Sequence, residues 1–271
     1  MLKITVVQPA YFAGEARGIA PDEAVAEFLE RELEGVEPGA LIVLPEYSNA
    51  GGLSDPSLEL LALARAPKML AKASEIAKAH CAYVAINVLE ERGGKIKNST
   101  YLFDRCGKVA FVYDKIHLPP SEVELGVERG EGACVCELDG IKFGFMTCYD
   151  VYFNEQIEFI AKQKPDIILI PGYQRGERTD IICAQAKLTA FRCNAFVARS
   201  SYSMNDDCRG GNSMIVSPEG QILKNLGKEI GSVSATVDPK EKYMRTAGFG
   251  GAMVRNDDFI NNGLCPNAFG K

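Results

Sequence analysis

Cys148 lies in the run Gly144-Phe145-Met146-Thr147-Cys148-Tyr149-Asp150, where an apolar stretch stops and a helical one is about to begin. A thiol at such a point gains acidity from the helix N-terminus that follows it. The turn also presents backbone N–H groups that can hold an oxyanion. Glu46, in Leu44-Pro45-Glu46-Tyr47, sits just past another apolar run, at the sheet edge where α/β proteins place their sites. A carboxylate there can act as the base for a thiol. Lys115, in Tyr113-Asp114-Lys115-Ile116-His117-Leu118, brings an ammonium that can stabilise a developing oxyanion. His117 points the same way in extended chain and reads as a hydrogen-bonding support rather than a proton shuttle. Taken singly, a buried cysteine, a loop glutamate and an exposed lysine are commonplace. A nucleophile, a base and a cation on three different strand ends form a set suited to covalent hydrolysis.

The elements that must position them alternate between strand and helix. Strands are expected at Ile4–Gln8, Leu41–Leu44, Tyr83–Val88, Ser99–Phe103, Ala110–Tyr113, Ile167–Ile170, Phe196–Ser200 and Gly231–Val237. Hairpins are expected at Val135–Leu138 with Ile141–Met146, and at Ser213–Val216 with Gln221–Leu223, around Asp139-Gly140 and Pro218-Glu219-Gly220. Helices are expected at Pro21–Val36, where Pro21 suits a first helical position, at Leu58 to about His80, at Glu155–Lys162 and at Ile181–Asn194. Short strands interleaved with a few helices predict one α/β domain of two sheets with helices outside, and the hairpins make the sheets mixed. From about Tyr243 the chain turns Gly- and Asn-rich, which predicts residues 1–242 as the domain and 243–271 as an arm or frayed end.

With 46% hydrophobic and 24% charged residues in 271, the chain has an ordinary globular composition. A net charge of −6 argues against a nucleic-acid partner. No apolar stretch approaches the ~20 residues of a membrane helix. Met1–Val7 enters a strand-like run directly, with no signal-peptide core, so the expected address is cytoplasmic. The nine cysteines include no CxxC pair and read as reduced thiols. Only two histidines, His80 and His117, are present, which excludes a zinc site built on several histidines. No metal and no cofactor is expected. Gly248-Phe249-Gly250-Gly251 does not join a strand to a helix with nucleotide-binding spacing, so no phosphate loop is read there.

The order and contexts of Glu46, Lys115 and Cys148 resemble the nitrilase, or carbon–nitrogen hydrolase, superfamily. Asn98-Ser99 with Gly107 and Lys115, Cys148-Tyr149-Asp150 with Phe153 and Glu155, and Gly211-Asn212-Ser213 with Ile215, Pro218 and Gly220 look like three motifs of that family, in order. The resemblance spans roughly Ile4 to Asp238. It implies a four-layer α-β-β-α sandwich with two mixed sheets, and hydrolysis of a small amide or N-carbamoyl compound through a cysteine thioester. In that scheme Cys148 is the nucleophile, Glu46 the general base and Lys115 the oxyanion stabiliser. Glu122 is expected as a second glutamate that positions the lysine and substrate, with Glu124 as the alternative. Tyr47, Tyr149, Gly172 and Tyr173 are the expected substrate contacts, the Tyr149 N–H joining the oxyanion site. Arg175, Arg178, Arg192 and Arg199 are candidates for holding a substrate carboxylate. The resemblance also implies a homodimer or higher homo-oligomer. The alternatives are nitrile hydrolysis by the same triad, a non-catalytic binding or scaffold member of the fold, and a thiol redox protein. The chain departs from the family pattern at Tyr152 and Asn154 beside Phe153, at Cys193 before Asn194, and at Gly172-Tyr173 after Pro171. These departures bear on substrate class and leave the triad intact.

Overall fold

In the computed structural model, residues 1–11, 17–52 and 62–265 are described. One sheet draws five strands from the first half of the chain: β1 (Leu2–Gln8), β2 (Leu41–Val43), β3 (Tyr83–Arg92), β4 (Lys95–Phe103) and β5 (Val109–Asp114). The other takes β6 (Val135–Leu138), β7 (Ile141–Phe145), β8 (Ile167–Pro171), β9 (Phe196–Ser200), β10 (Met214–Val216) and β11 (Ile222–Asn225). Then β12 (Gly231–Val237) returns to pair antiparallel with β1, giving the orders β12-β1-β2-β3-β4-β5 and β11-β10-β9-β8-β7-β6. Parallel pairs (β1 with β2, β2 with β3, β7 with β8, β8 with β9) sit beside antiparallel hairpins, so both sheets are mixed.

Alternation along the strands builds the layers. Ile4, Val6, Leu41, Val43, Tyr83 and Ala85 face the second sheet and pack with Phe143, Phe145 and Met146. The intervening Val7, Ile42, Val84 and Ile86 face the opposite way, toward helices α1 (Pro21–Glu32) and α2 (Ala66–Ala79). Those helices offer Val25, Phe28 and Leu29, and Met69, Ala73 and Ile76. Each such large apolar side chain taken out of water contributes ~1.5–3 kcal/mol before its ordering entropy is charged against it. The helix α3 (Pro120–Glu124) follows β5, a 3-10 turn (Cys148–Tyr152) follows β7, and α4 (Asn154–Lys162) and α5 (Thr179–Cys193) cover the outer face of the second sheet. The result is an α-β-β-α sandwich.

Several elements differ from expectation for local reasons. The strands expected to end at Val88 and to begin at Ser99 extend to meet in a hairpin at Gly93-Gly94, both at positive φ (63° and 75°), as a two-residue turn of that hand requires. The helix expected over Pro21–Val36 stops at Glu32. The one expected from Leu58 is helical at residues 62–63, is interrupted by a turn at 64–65, and resumes as Ala66–Ala79 with Pro67 in its first turn; part of that expectation lies in residues 53–61, outside the described residues. Asn194 ends α5 in the left-handed region (φ 50°). Its carboxamide accepts from Tyr243 N and donates to Tyr243 O and to buried Asp257. The late segment is therefore anchored there, and it carries a hairpin of β13 (Met244–Thr246) and β14 (Met253–Arg255) followed by α6 (Asn256–Asn262).

Candidate active site

Four side chains converge where β2, β5 and β7 end. Pro45 stops β2, and Glu46 turns inward, 1% exposed. Lys115 follows β5 directly and is equally buried. A buried ammonium needs partners, and Lys115 Nζ donates to Glu46 Oε1 at 2.8 Å and to Glu122 Oε1 at 2.7 Å. Glu122 comes from α3, which the reading of the sequence did not include; Pro119 and Pro120 open that short helix. Glu124 lines the cleft but makes no hydrogen bond to Lys115. Burial alone would depress the Lys115 ammonium, yet the charges of Glu46 and Glu122 outweigh it and hold the group above an ordinary lysine. Burial, helped by the Glu46 charge, raises the Glu122 carboxyl against the opposing pull of Lys115 and Tyr47.

The cysteine elbow is built from its neighbours. Thr147 and Asp150 form a reciprocal capping box around Cys148, which takes a positive φ of 45°. Asp150 accepts from Thr147 N, from the Tyr113 phenol and from His117 N, and His117 Nδ1 lies 3.0 Å from it. His117 stacks on Phe153 with ring centroids 3.8 Å apart. It supports the elbow and does not line the cleft. Tyr47, beside Glu46, is also left-handed (φ 55°), its N–H donating to Asn87 Oδ1 and its carbonyl accepting from the Tyr202 phenol. Such strain on non-glycine residues persists where surrounding contacts overdetermine it. The expectation of an acidified Cys148 thiol is corrected: burial first, and then the Glu46 charge, push the thiol well above the ordinary cysteine value. The turn that follows spans only Cys148–Tyr152, and its field does not offset the carboxylate alongside.

A cleft of about 630 Å³ opens onto Glu46, Lys115, Glu122 and Cys148. Tyr47, Tyr149, Tyr152 and Tyr173 form its walls with Gln174, Arg175 and Glu177. Gly172, an expected substrate contact, is not on the wall: its N–H donates to Ser200 O, and a Cβ there would meet the Arg199 guanidinium at 3.1 Å. Of the four arginines, only Arg175 reaches the cleft, lying over the Tyr173 ring at 5.0 Å and donating to the Tyr11 phenol at 2.7 Å. Arg178 pairs with Asp180 at the surface, and Arg192 with Glu158. Arg199 is buried, donates to Gly211 O, Asn212 O and Gln174 Oε1, and is pulled down to about 10 by burial. The reading of the sequence did not single out Asn87, Thr100, Gln174 or Glu177. A signal existed for Asn87, a lone carboxamide within the apolar run Tyr83–Leu89.

The sandwich and the cleft have the layout expected of the carbon–nitrogen hydrolases, and the family profile named Carbon-nitrogen hydrolase matches residues 22–243. The chain belongs to the carbon–nitrogen hydrolase family, and it acts on carbon–nitrogen bonds other than peptide bonds. It is 28% identical over 218 residues to 2-oxoglutaramate amidase of Bacillus subtilis, covering 79% of this chain and 83% of that protein. It is 26% identical over 189 residues to omega-amidase NIT2 of Danio rerio, covering 61% of this chain and 64% of the relative. An amidase from Nesterenkonia sp. shares the fold, with a TM-score of 0.73 at 19% identity over 96% of this chain and 92% of its own. Among the described residues no helix is long and apolar enough to cross a membrane.

Proposed function

We propose that the cleft hydrolyses a small non-peptide amide through a thioester on Cys148. The observation that supports this reading is the Lys115 ammonium held between Glu46 and Glu122 on the wall that carries Cys148. In the resting site the thiol is protonated, so attack and proton transfer are coupled: Glu46 takes the proton as sulfur bonds to the carbonyl carbon. The carbonyl oxygen gains the negative charge and is met by Lys115 and the Tyr149 N–H. Glu46 returns the proton to the departing nitrogen, the carbon–nitrogen bond breaks, and ammonia or an amine leaves. Glu46 then deprotonates a water that attacks the thioester, and the carboxylic acid product departs with the thiol restored. Glu122 Oε2 is buried without a hydrogen-bond partner, and a substrate amide N–H satisfies it, which orients the scissile group.

The favoured substrate class is the ω-amide of a short dicarboxylic acid. Support comes from the amidase relatives and from Arg175, whose guanidinium on the cleft wall suits a carboxylate. Tyr47, Tyr149 and Tyr173 contact the body of the substrate. Nine free cysteines support a reducing compartment, hence the cytoplasm. We assign the chain after residue 242 to an arm that packs on a second copy, supported by the exposure of Met244, Phe249, Met253 and Phe259 there. Phe269 lies outside the described residues. The reading is tested by mixing the enzyme with ω-amides and quenching in acid. An acyl mass added to the Cys148 peptide supports it; ammonia release from an amide by Cys148→Ala overturns it.

A further inference from the structure

Asn98 reaches the site from the middle of β4, yet its side chain touches both carboxylates. Its Nδ2 lies 2.8 Å from Glu46 Oε1 and 3.2 Å from Glu122 Oε1. Its Oδ1 accepts from Asn87 Nδ2 at 2.7 Å, and Asn87 Nδ2 also donates to Thr100 Oγ1 at 3.0 Å. The direction of this chain follows from one fixed donor. The Tyr47 backbone N–H points at Asn87 and can only donate, so Asn87 must present its carbonyl there. Its NH₂ then faces Asn98, which must answer with its own carbonyl. The Asn98 NH₂ is thereby turned toward Glu46 and Glu122. Both asparagines are essentially sealed from solvent, 0% and 1% exposed, so water cannot substitute.

The consequence is a division of labour between oxygens. Glu122 Oε1 receives Lys115, Asn98 and the Tyr47 phenol, and Glu46 Oε1 receives Lys115 and Asn98. Neither Oε1 has room for a proton of its own. We propose that Asn98 is a positioning residue that locks the Oε1 atoms of Glu46 and Glu122 as acceptors, so that only the Oε2 atoms exchange protons or hydrogen bonds with the thiol and the substrate. Asn87 acts one step behind by setting the direction of the Asn98 amide. This rests on the roles given to Glu46 and Cys148 under the proposed function.

The titratable groups that meet this amide are Glu46 and Glu122, whose Oε1 atoms it shares with Lys115 and the Tyr47 phenol, and Cys148 lies on the same cleft wall as both carboxylates. Donors to ionised carboxylates favour the ionised form. Removing the Asn98 donor takes one favourable contact from the Glu122 carboxylate and loosens the hold on Glu46 Oε1, and the acid limb of kcat/KM moves to higher pH. The test uses Asn98→Asp, which exchanges the donor for an acceptor, and Asn98→Ser and Asn87→Leu as milder variants, each checked by thermal unfolding. For Asn98→Asp the acid limb is expected to rise by about one pH unit or more. Its kcat is expected to fall on the order of 10- to 100-fold, the loss typical of donors to charged acceptors, with a smaller change in KM. The pH profile of Cys148 alkylation by iodoacetamide should shift in the same direction. Asn87→Leu should give a smaller shift of the same sign. A folded Asn98→Asp or Asn98→Ser enzyme with the parental acid limb overturns the inference; if neither folds, an unshifted Asn87→Leu does so. Failure of the proposed function itself is separable, because the parental enzyme would then neither turn over amides nor acylate at Cys148.

Discussion

The hydroxyls of Thr100 and Thr147 meet at 3.0 Å, joining the two sheets directly behind the cysteine elbow. Thr100 lies on β4, and Thr147 caps the turn that holds Cys148. Both are wholly buried, so this contact ties the spacing between the sheets to the turn that carries Cys148. Thr147→Val keeps the shape and removes the hydroxyl, which leaves the Thr100 O–H without its acceptor, although Thr100 still accepts from Asn87, and takes the side-chain cap from the turn. It is expected to lower stability by about 1–3 kcal/mol, the cost of unsatisfied buried polar groups. Urea unfolding of the variant checks this, and a change below about 0.5 kcal/mol, the range of a neutral surface substitution, would count against the contact as a joint.

Glu46→Gln keeps the hydrogen-bonding size of the side chain and removes its basicity. Turnover of an ω-amide is expected to fall by about 10²–10⁴-fold, the usual contribution of a placed base. Cys148→Ala is expected to abolish it while the fold survives. Steady-state ammonia release measures both, and near-parental rates from either variant would refute the assigned roles.

His117 gives a pH dependence with a definite sign. Hydrogen bonds that its ring N–H groups donate to Asp150 and then to Glu155 favour its protonated form against the effect of burial, raising it above the usual 6.5. A raised value in the folded state means that its stabilising contribution is fully present below about pH 6.5 and fades as pH rises through the raised value. Denaturant unfolding from pH 6 to 9 should show this loss in the parental chain, and His117→Phe should flatten it. An equal slope in both proteins would remove His117 as the cause.

Arg175→Gln separates substrate charge from chemistry. KM for an ω-amide carrying a carboxylate is expected to rise about 10- to 100-fold, the worth of a hydrogen-bonded charge pair, with KM for a neutral amide nearly unchanged. Arg175→Lys should recover only part of the loss, since a point charge lacks the planar fork. Equal effects on charged and neutral amides would assign Arg175 to the structure of the loop instead.

The proposed arm is checked by mass. Truncation after Lys242 should lower the solution mass measured by light scattering while leaving the secondary structure of the sandwich in place. An unchanged mass would show that the contact between copies lies elsewhere.

What the amino-acid sequence determined by itself was a list of candidate residues and the strand ends that carry them. Pro45 after Leu41–Leu44 and the polar turn after Phe145 are local stop signals, and a strand that ends places its next side chain at the sheet edge. The alternation of strand and helix was legible for the same reason, since side-chain period is a property of neighbouring residues. Tertiary structure decided the rest. Glu122 rather than Glu124 holds Lys115 because α3 turns only the former inward, and the sequence showed no helix there. Arg175, alone among four arginines, reaches the cleft because the others meet Asp180, Glu158 or backbone carbonyls first. The Cys148 thiol stands high rather than low because the packed site buries it first, and then because Glu46, 102 positions earlier in sequence, lies against it. Charges act through space, and the distances between them are set by how the two sheets pack, which no local pattern encodes.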